Sequence, residues 1–137
     1  MSVVKELIRI EDNGSISFGD YELTQKTKLS DFEYEGDIYK VKTFDKITKF
    51  EKNGLFVYES VPGTTVKGLM VKEAGMQFTV AGNASAQVTV EMEPDSQYQI
   101  GLNGIDMGNM CTNLGGKLSF NVEFEDDSAV EVLIQKV

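Results

Sequence analysis

The sequence predicts an all-β protein, an antiparallel β-sandwich with little or no helix. In several stretches, apolar and polar residues alternate with a period of two, which places one side of a strand against a core and the other in water. Turn-forming residues interrupt these stretches at short intervals, as they do in sandwiches and barrels. No long window has the 3.6-residue period of a helix, and we expect at most one short helical turn, near residues 43–48.

The first half of the chain contains two Asn-Gly dipeptides, Asn13-Gly14 and Asn53-Gly54, each between stretches of strand-forming residues. Asn-Gly favours a positive φ at both central positions of a turn, which a type I′ hairpin requires. Each dipeptide therefore predicts a β-hairpin. A further turn at residues 35–37 separates two more predicted strands, residues 32–34 and 39–42.

The second half of the chain alternates more regularly. A third dipeptide, Asn103-Gly104, follows one of the alternating stretches and predicts another hairpin. This alternation predicts strands that are packed on one face and wet on the other. The alternating apolar positions are Ala86, Val88, Val90 and Met92, then Tyr98, Ile100 and Leu102, then Leu118, Phe120, Val122 and Phe124, and finally Val130, Val132 and Ile134.

The length of the chain predicts one compact β unit over residues 1–137, because a chain of this size buries enough surface for a core without disulfides. A change in composition near residues 61–75 marks a candidate internal boundary. Residues 1–70 are rich in aromatic residues and lysine, whereas residues 71–137 are aliphatic and acidic. The two halves could be the two sheets of one sandwich or two small β units.

Three segments of the second half predict a hairpin, a turn and a last strand: YQIGLNG at residues 98–104, GKLSFNV at 116–122 and VEVLI at 130–134. In this order they resemble the small immunoglobulin-like or fibronectin-like accessory modules of carbohydrate-active proteins. The resemblance implies a fold rather than a function. The expected architecture is an immunoglobulin-like or jelly-roll-like sandwich.

Four further segments, YKVKTF at residues 39–44, NG at 53–54, VYESVPGT at 57–64 and TNLGGKL at 112–118, run through the whole chain. Together they resemble a group of short bacterial β-proteins that sometimes carry the label endosialidase. Sialidase sites hold the carboxylate of the sugar with several arginines, because a guanidinium group pairs with a carboxylate bidentately. This chain has one arginine, Arg9. The residues therefore disfavour the activity that the label implies.

The composition argues against several other classes of function. The chain has no histidine, which removes histidine-based catalytic triads and most zinc sites. Its single cysteine, Cys111, has no adjacent lysine or predicted helix N-terminus to lower its pKa. A net charge of −9 disfavours nucleic acid, and no apolar run is long enough for a membrane span or a signal peptide. We expect a cytoplasmic protein without a cofactor, and not a conventional enzyme.

One group of residues is a candidate ligand site, because a tyrosine ring and polar side chains near one turn are groups that bind sugars or other small ligands. Its members are Tyr98, Asn103, Asp106 and Asn109. A tyrosine on a half-buried strand also packs into a core, so a purely structural role for Tyr98 stays open.

Two groups are candidate metal ligands. Hard carboxylate oxygens suit calcium, although a run of acidic residues is also typical of a solvated turn; these residues are Glu123, Glu125, Asp126 and Asp127. Soft sulfur atoms suit copper(I), although methionines near a turn are more often adaptable packing or interface residues; these residues are Met107, Met110 and Cys111.

Three functions fit these observations. The first is a non-enzymatic structural or interaction protein that self-associates into a homo-oligomer, because an open sandwich leaves strand edges that must be paired or covered. The second is a carbohydrate- or small-ligand-binding module. The third is a glycan hydrolase that uses two carboxylates, with a deep acidic pocket. We expect self-association, with neither nucleic acid nor a membrane as partner.

Overall fold

The computed structural model describes residues 1–126 and 128–137. These residues form thirteen β-strands and no helix. In chain order the strands are β1 (Ile8–Ile10), β2 (Ile16–Phe18), β3 (Thr27–Tyr34), β4 (Asp37–Thr43), β5 (Thr48–Lys52), β6 (Leu55–Val61), β7 (Thr65–Lys72), β8 (Gly75–Ala81), β9 (Ala86–Glu91), β10 (Gln97–Leu102), β11 (Ile105–Cys111), β12 (Lys117–Val122) and β13 (Val130–Lys136).

The strands form two antiparallel sheets, which confirms the predicted all-β sandwich. The seven-strand sheet has the order β1-β2-β7-β8-β13-β10-β11, and the six-strand sheet has the order β12-β9-β6-β5-β4-β3. Each sheet combines strands from residues 1–70 with strands from residues 71–137. One strand, β7, runs through most of the stretch 61–75 in which the composition changes.

The two sheets enclose one apolar core, whose centre is aromatic. Phe18 of β2 and Phe50 of β5 are both fully buried and belong to opposite sheets. The Tyr58 ring of β6 meets Phe18 edge-on at 5.3 Å and Phe78 of β8 edge-on at 5.6 Å between ring centroids. Edge-to-face contacts of this kind add to the free energy that the burial of the rings already contributes. The alternating apolar residues of β8, β9, β12 and β13 extend this core along both sheets.

A buried hydroxyl network holds the segment after β6 against the sheet. The Tyr58 hydroxyl and the Ser60 hydroxyl each lie 2.7 Å from Thr64 Oγ1. Thr48 Oγ1 donates to the carbonyl oxygen of Thr64 at 2.8 Å and accepts its backbone N–H at 3.1 Å. Burial raises the pKa of the Tyr58 hydroxyl well above its ordinary value. These buried polar groups are therefore satisfied by one another rather than by water.

The observed turns agree only in part with those predicted from the sequence. Asn53-Gly54 and Asn103-Gly104 have positive φ at both residues, as a type I′ turn requires. At Asn13-Gly14 only the glycine does, because the Asn13 side chain accepts the backbone N–H of Ser15 and the hairpin loop is longer. The short helical turn expected near residues 43–48 is wrong, because Thr43 pairs with Thr48 across β4 and β5 and the intervening residues close a hairpin.

Candidate functional site

The seven-strand sheet ends at β11, which hydrogen-bonds to β10 on one side only. All seven residues of β11 are exposed, unlike those of any other strand in the described part of the chain. A strand edge of this kind presents unpaired backbone groups, which proteins usually pair, cover or protect with charge. The side chains of β11 therefore determine whether this edge is protected or is available for contact with another molecule.

The turn before β11 is fixed to β13, the strand on the other side of β10. Asn103 and Gly104 have φ values of +51° and +78°, which let the chain reverse in two residues. The Asn103 Oδ1 atom accepts the backbone N–H of Glu131 at 2.8 Å, and the Asn103 N–H donates to the Glu131 carbonyl oxygen at 2.8 Å. Asn103 is thus a structural residue of the turn that positions β11.

A β-bulge changes the phase of β11 halfway along the strand. Met107 and Gly108 together lie opposite Ile100, whereas Asp106 pairs with Gly101 and Asn109 pairs with Gln99. Gly108 has a φ of +96°, and its backbone N–H donates to Asp106 Oδ1 at 2.8 Å. The alternation of inner-face and outer-face side chains along β11 therefore shifts by one position at the bulge.

The bulge gathers three apolar side chains on the inner face of β11, the face that points toward the six-strand sheet. Ile105 pairs with Leu102 and Met110 pairs with Tyr98, both inner-face positions of β10. Met107, two residues after Ile105, lies on the same face. We call Ile105, Met107 and Met110 the β11 strip.

No part of the described chain covers the β11 strip. Ile105 is 65% exposed, Met107 57% and Met110 38%, although their neighbours Tyr98 and Ile100 on β10 are buried. β11 is the last strand of its sheet, and these exposures show that the six-strand sheet does not cover its inner face. Exposed apolar patches on protein surfaces usually mark sites of interaction.

The other three sheet edges are protected. Strand β3 carries Lys28, Asp31 and Glu33 and has a bulge, as protected edge strands often do. Strand β1 has only three residues, and its Arg9 pairs with Glu6 and Glu11. Strand β12 carries an ion pair between Lys117 and Glu91. Strand β11 also has a bulge, but it has seven residues and its one charged residue, Asp106, forms no ion pair with a described residue.

The residues predicted as a ligand site do not all lie together. Asp106 and Asn109 lie on the outer face of β11, with Gly101 and Gln99 of β10 as their direct neighbours. Tyr98 points the other way, into the core, where its hydroxyl accepts the backbone N–H of Glu93 at 3.1 Å. The structure thus groups the two polar residues of β11 and separates the tyrosine from them.

The predicted calcium ligands lie in the connection between β12 and β13. Glu123, Glu125 and Asp126 are exposed there, and Asp127 lies outside the described residues. In the described part of the chain, no group of three or more cysteine or carboxylate side chains is arranged to hold a metal ion. The predicted sulfur cluster is also divided, because the register places Cys111 on the outer face of β11 and Met107 and Met110 on the inner face.

The lysine-rich half of the sequence forms a row of like charges on the outer face of the six-strand sheet. Lys28 pairs with Lys42 across β3 and β4, and Lys42 pairs with Lys49 across β4 and β5. Only Lys49 of the three has a nearby carboxylate, Glu51 Oε1 at 3.9 Å, among the described residues. We call these three residues the lysine row.

Only part of the β11 strip is predicted from the sequence. Met107 and Met110 are predicted as metal ligands or as packing or interface residues, whereas Ile105 is not predicted as a site residue. A signal was present in the spacing, since Ile105, Met107 and Met110 do not fit one unbroken period of two. A glycine between the two methionines was the second signal, because a glycine inside a strand often marks a bulge.

Comparison of the chain with protein-family models, with curated proteins and with solved structures finds no match. None of the described residues forms a helix long and apolar enough to cross a membrane.

Proposed function

We propose that this chain is a structural or interaction protein that self-associates, and that the β11 strip is the contact between two copies. The observation that carries this proposal is the exposed apolar face of an edge strand whose only charge, Asp106, lies on the opposite face. The occupant of that face is a second copy of the same chain.

The charge distribution supports a second copy as the partner. Each copy has a net charge of −9, which opposes association in general. The β11 strip itself is uncharged, so two strips meet without placing like charges in contact. A twofold axis brings the same patch of each copy together, which an apolar strip satisfies because apolar surface is complementary to itself. Full burial of one such side chain contributes about 1.5–3 kcal/mol.

The bulge supports a closed dimer rather than an extended fibre. A regular edge strand would pair backbone to backbone and allow further copies to add. The bulge at Met107 and Gly108 interrupts the ladder in the middle of β11 and would interrupt any ladder on its free side. Two copies that meet through their apolar faces, with at most short backbone pairing beside the bulge, bury both β11 strips. No strip then remains exposed for a third copy.

The test is the native mass of the untagged protein over a hundredfold dilution, by light scattering or native mass spectrometry. We expect a dimer, twice the chain mass of 15.2 kDa. Met107→Lys places a charge in the contact and should yield a monomer. Leu55→Lys is the matched control, since Leu55 is also an exposed apolar residue, 71% exposed, but lies on the six-strand sheet.

Two outcomes would contradict the proposal. One is a monomer of the unaltered protein at every concentration. The other is a dimer that survives Met107→Lys but dissociates in high salt, because screening by salt weakens contacts between exposed charges and not apolar ones. That result would indicate a contact between the lysine row of one copy and acidic residues on the surface of another copy.

A further inference from the structure

The outer face of the seven-strand sheet contains a groove of about 500 Å³ that crosses the strands from β7 to β11. Its central row follows the strand register, from Gln77 of β8 to Leu133 of β13, Gly101 of β10 and Asp106 of β11. Strands in a sheet lie about 4.8 Å apart, so five strands span roughly 19 Å. We call this surface the outer groove.

The floor of the outer groove is kept low by Gly101. A Cβ atom added at this position would meet no atom closer than the Leu133 carbonyl oxygen, at 3.7 Å, which is an ordinary contact. The φ of Gly101 is not in the left-handed region, so the backbone does not require glycine here. The missing side chain leaves space between Leu133 and Asp106 that folding alone does not explain.

Amide side chains without a partner among the described residues line the outer groove. Gln77, Gln99 and Gln135 have no side-chain hydrogen bond to any described residue, and Gln99 and Gln135 are direct neighbours across β10 and β13. An amide side chain both donates and accepts hydrogen bonds. Three such groups along one groove offer paired donors and acceptors without net charge.

The remaining lining limits the class of ligand. The carboxylates of Asp106 and Glu131 lie at the groove, and Lys67 lies at its β7 end, where its ammonium group donates to Ser2 Oγ at 3.1 Å. The lining therefore has one more negative than positive charge, and the chain has a net charge of −9, so an anion is repelled. Leu133 supplies the apolar side chain beside Gly101, while Phe78 contributes only where its backbone reaches the groove, since its ring is in the core. Neutral amides beside a small apolar floor suit a molecule whose hydroxyl groups donate and accept and whose C–H faces are apolar.

We propose that the outer groove binds an uncharged, polyhydroxylated chain, a neutral oligosaccharide of several sugar units. The length of the groove matches an extended oligomer better than a single sugar. This site is separate from the β11 strip, because the two occupy opposite faces of the same sheet. Binding at the groove therefore does not depend on self-association.

The experiment is a binding screen of the full chain on an array of neutral oligosaccharides, followed by titration of ¹⁵N-labelled protein with the hexasaccharide that binds best. We expect backbone amide resonances of Gln77, Gln99 and Gln135 to shift during the titration. Gly101→Leu fills the floor, and the double variant Gln99→Ala with Gln135→Ala removes two amides. The double variant should weaken binding by about tenfold or more, the loss expected for one or two hydrogen bonds, and Gly101→Leu should weaken it by a similar factor because its side chain occupies the space of the ligand.

Gln87→Ala is the matched control, because Gln87 is an exposed amide on the outer face of the six-strand sheet. It should leave the affinity unchanged. The proposal is overturned if no neutral oligosaccharide shifts the groove resonances at millimolar concentration. It is also overturned if the folded double variant binds as tightly as the unaltered protein, since the amides would then contribute nothing.

Discussion

Phe18 and Phe50 stack face to face across the two sheets, with ring centroids 4.0 Å apart and ring planes within 5° of parallel. Both rings are fully buried, and the Tyr39 ring stacks on Phe50 with centroids 5.5 Å apart. The pair joins β2, in the first hairpin of the chain, to β5 of the opposite sheet. This contact is therefore one of the places where the sandwich is held together.

Phe50→Ala should lower the free energy of unfolding by about 3–5 kcal/mol, because it removes a buried ring and leaves a cavity between the sheets. A double-mutant cycle with Phe18→Leu should give a coupling energy of about 0.5–1.5 kcal/mol, the value of an aromatic pair beyond its buried area. Urea unfolding measures both. Ile38→Ala, at a 45% exposed position, is the control and should cost much less. A coupling near zero would mean that the stacked geometry contributes only burial.

Tyr58→Phe should change how stability depends on pH in alkaline solution. Burial raises the pKa of the Tyr58 hydroxyl in the folded state, whereas in the unfolded chain it ionises near its ordinary value of about 10. The contribution of Tyr58 to the free energy of unfolding is therefore complete below pH 10. Above pH 10 it falls by about 1.4 kcal/mol per pH unit, as the hydroxyl ionises in the unfolded chain.

Unfolding curves at several pH values between 9 and about 11.5 would check this slope. Tyr58→Phe should reduce it by the contribution of one proton, because the phenylalanine cannot ionise. The variant should also be less stable at neutral pH by about 1 kcal/mol, since it loses the hydrogen bond to Thr64 Oγ1. Equal alkaline slopes for both proteins would contradict the role given to Tyr58.

The sandwich could be predicted from the sequence because its signals are local. Alternation in β9, β12 and β13 is regular, and each strand buries the residues that the period of two assigns to it. The turns at Asn53-Gly54 and Asn103-Gly104 follow from residues that tolerate a positive φ. The order of the strands could not be predicted, because β13 pairs with β8 and β10 through contacts between distant parts of the chain.

The candidate sites were harder to predict, because each depends on one register. A period of two continued from Ile105 would place Asn109 and Cys111 beside Met107, whereas the bulge places Met110 there. Likewise, Asp106 and Asn109 were singled out as polar residues near a turn, but the amides that accompany them come from β8, β10 and β13. Strand neighbours of this kind are set by the whole fold and carry no local sequence signal.

Two glycines of the seven-strand sheet should respond in opposite ways to substitution by alanine. At Gly75 an added Cβ would lie 1.9 Å from the carbonyl oxygen of Ile134, so β8 and β13 would have to separate. Gly75→Ala should lower the free energy of unfolding by about 1–3 kcal/mol or more. At Gly101 the added Cβ has room, and Gly101→Ala should be neutral or stabilise by up to about 1 kcal/mol. Urea unfolding of both variants checks the contrast. A destabilised Gly101→Ala would mean that the fold itself requires glycine on the groove floor.

The lysine row should destabilise the six-strand sheet, because like charges directly opposite one another on neighbouring strands repel. Lys42 lies between Lys28 and Lys49, so Lys42→Thr should remove both repulsions and retain a residue that favours strands. We expect the free energy of unfolding to rise by about 0.2–1 kcal/mol at low salt. The gain should shrink as salt is added, because the charges are at the surface and are screened.

Lys40→Thr is the matched control, since Lys40 pairs with Glu51 across β4 and β5 and its loss should not stabilise the sheet. If both variants gained the same stability at every salt concentration, the preference of threonine for strands would explain the effect and repulsion within the row would not.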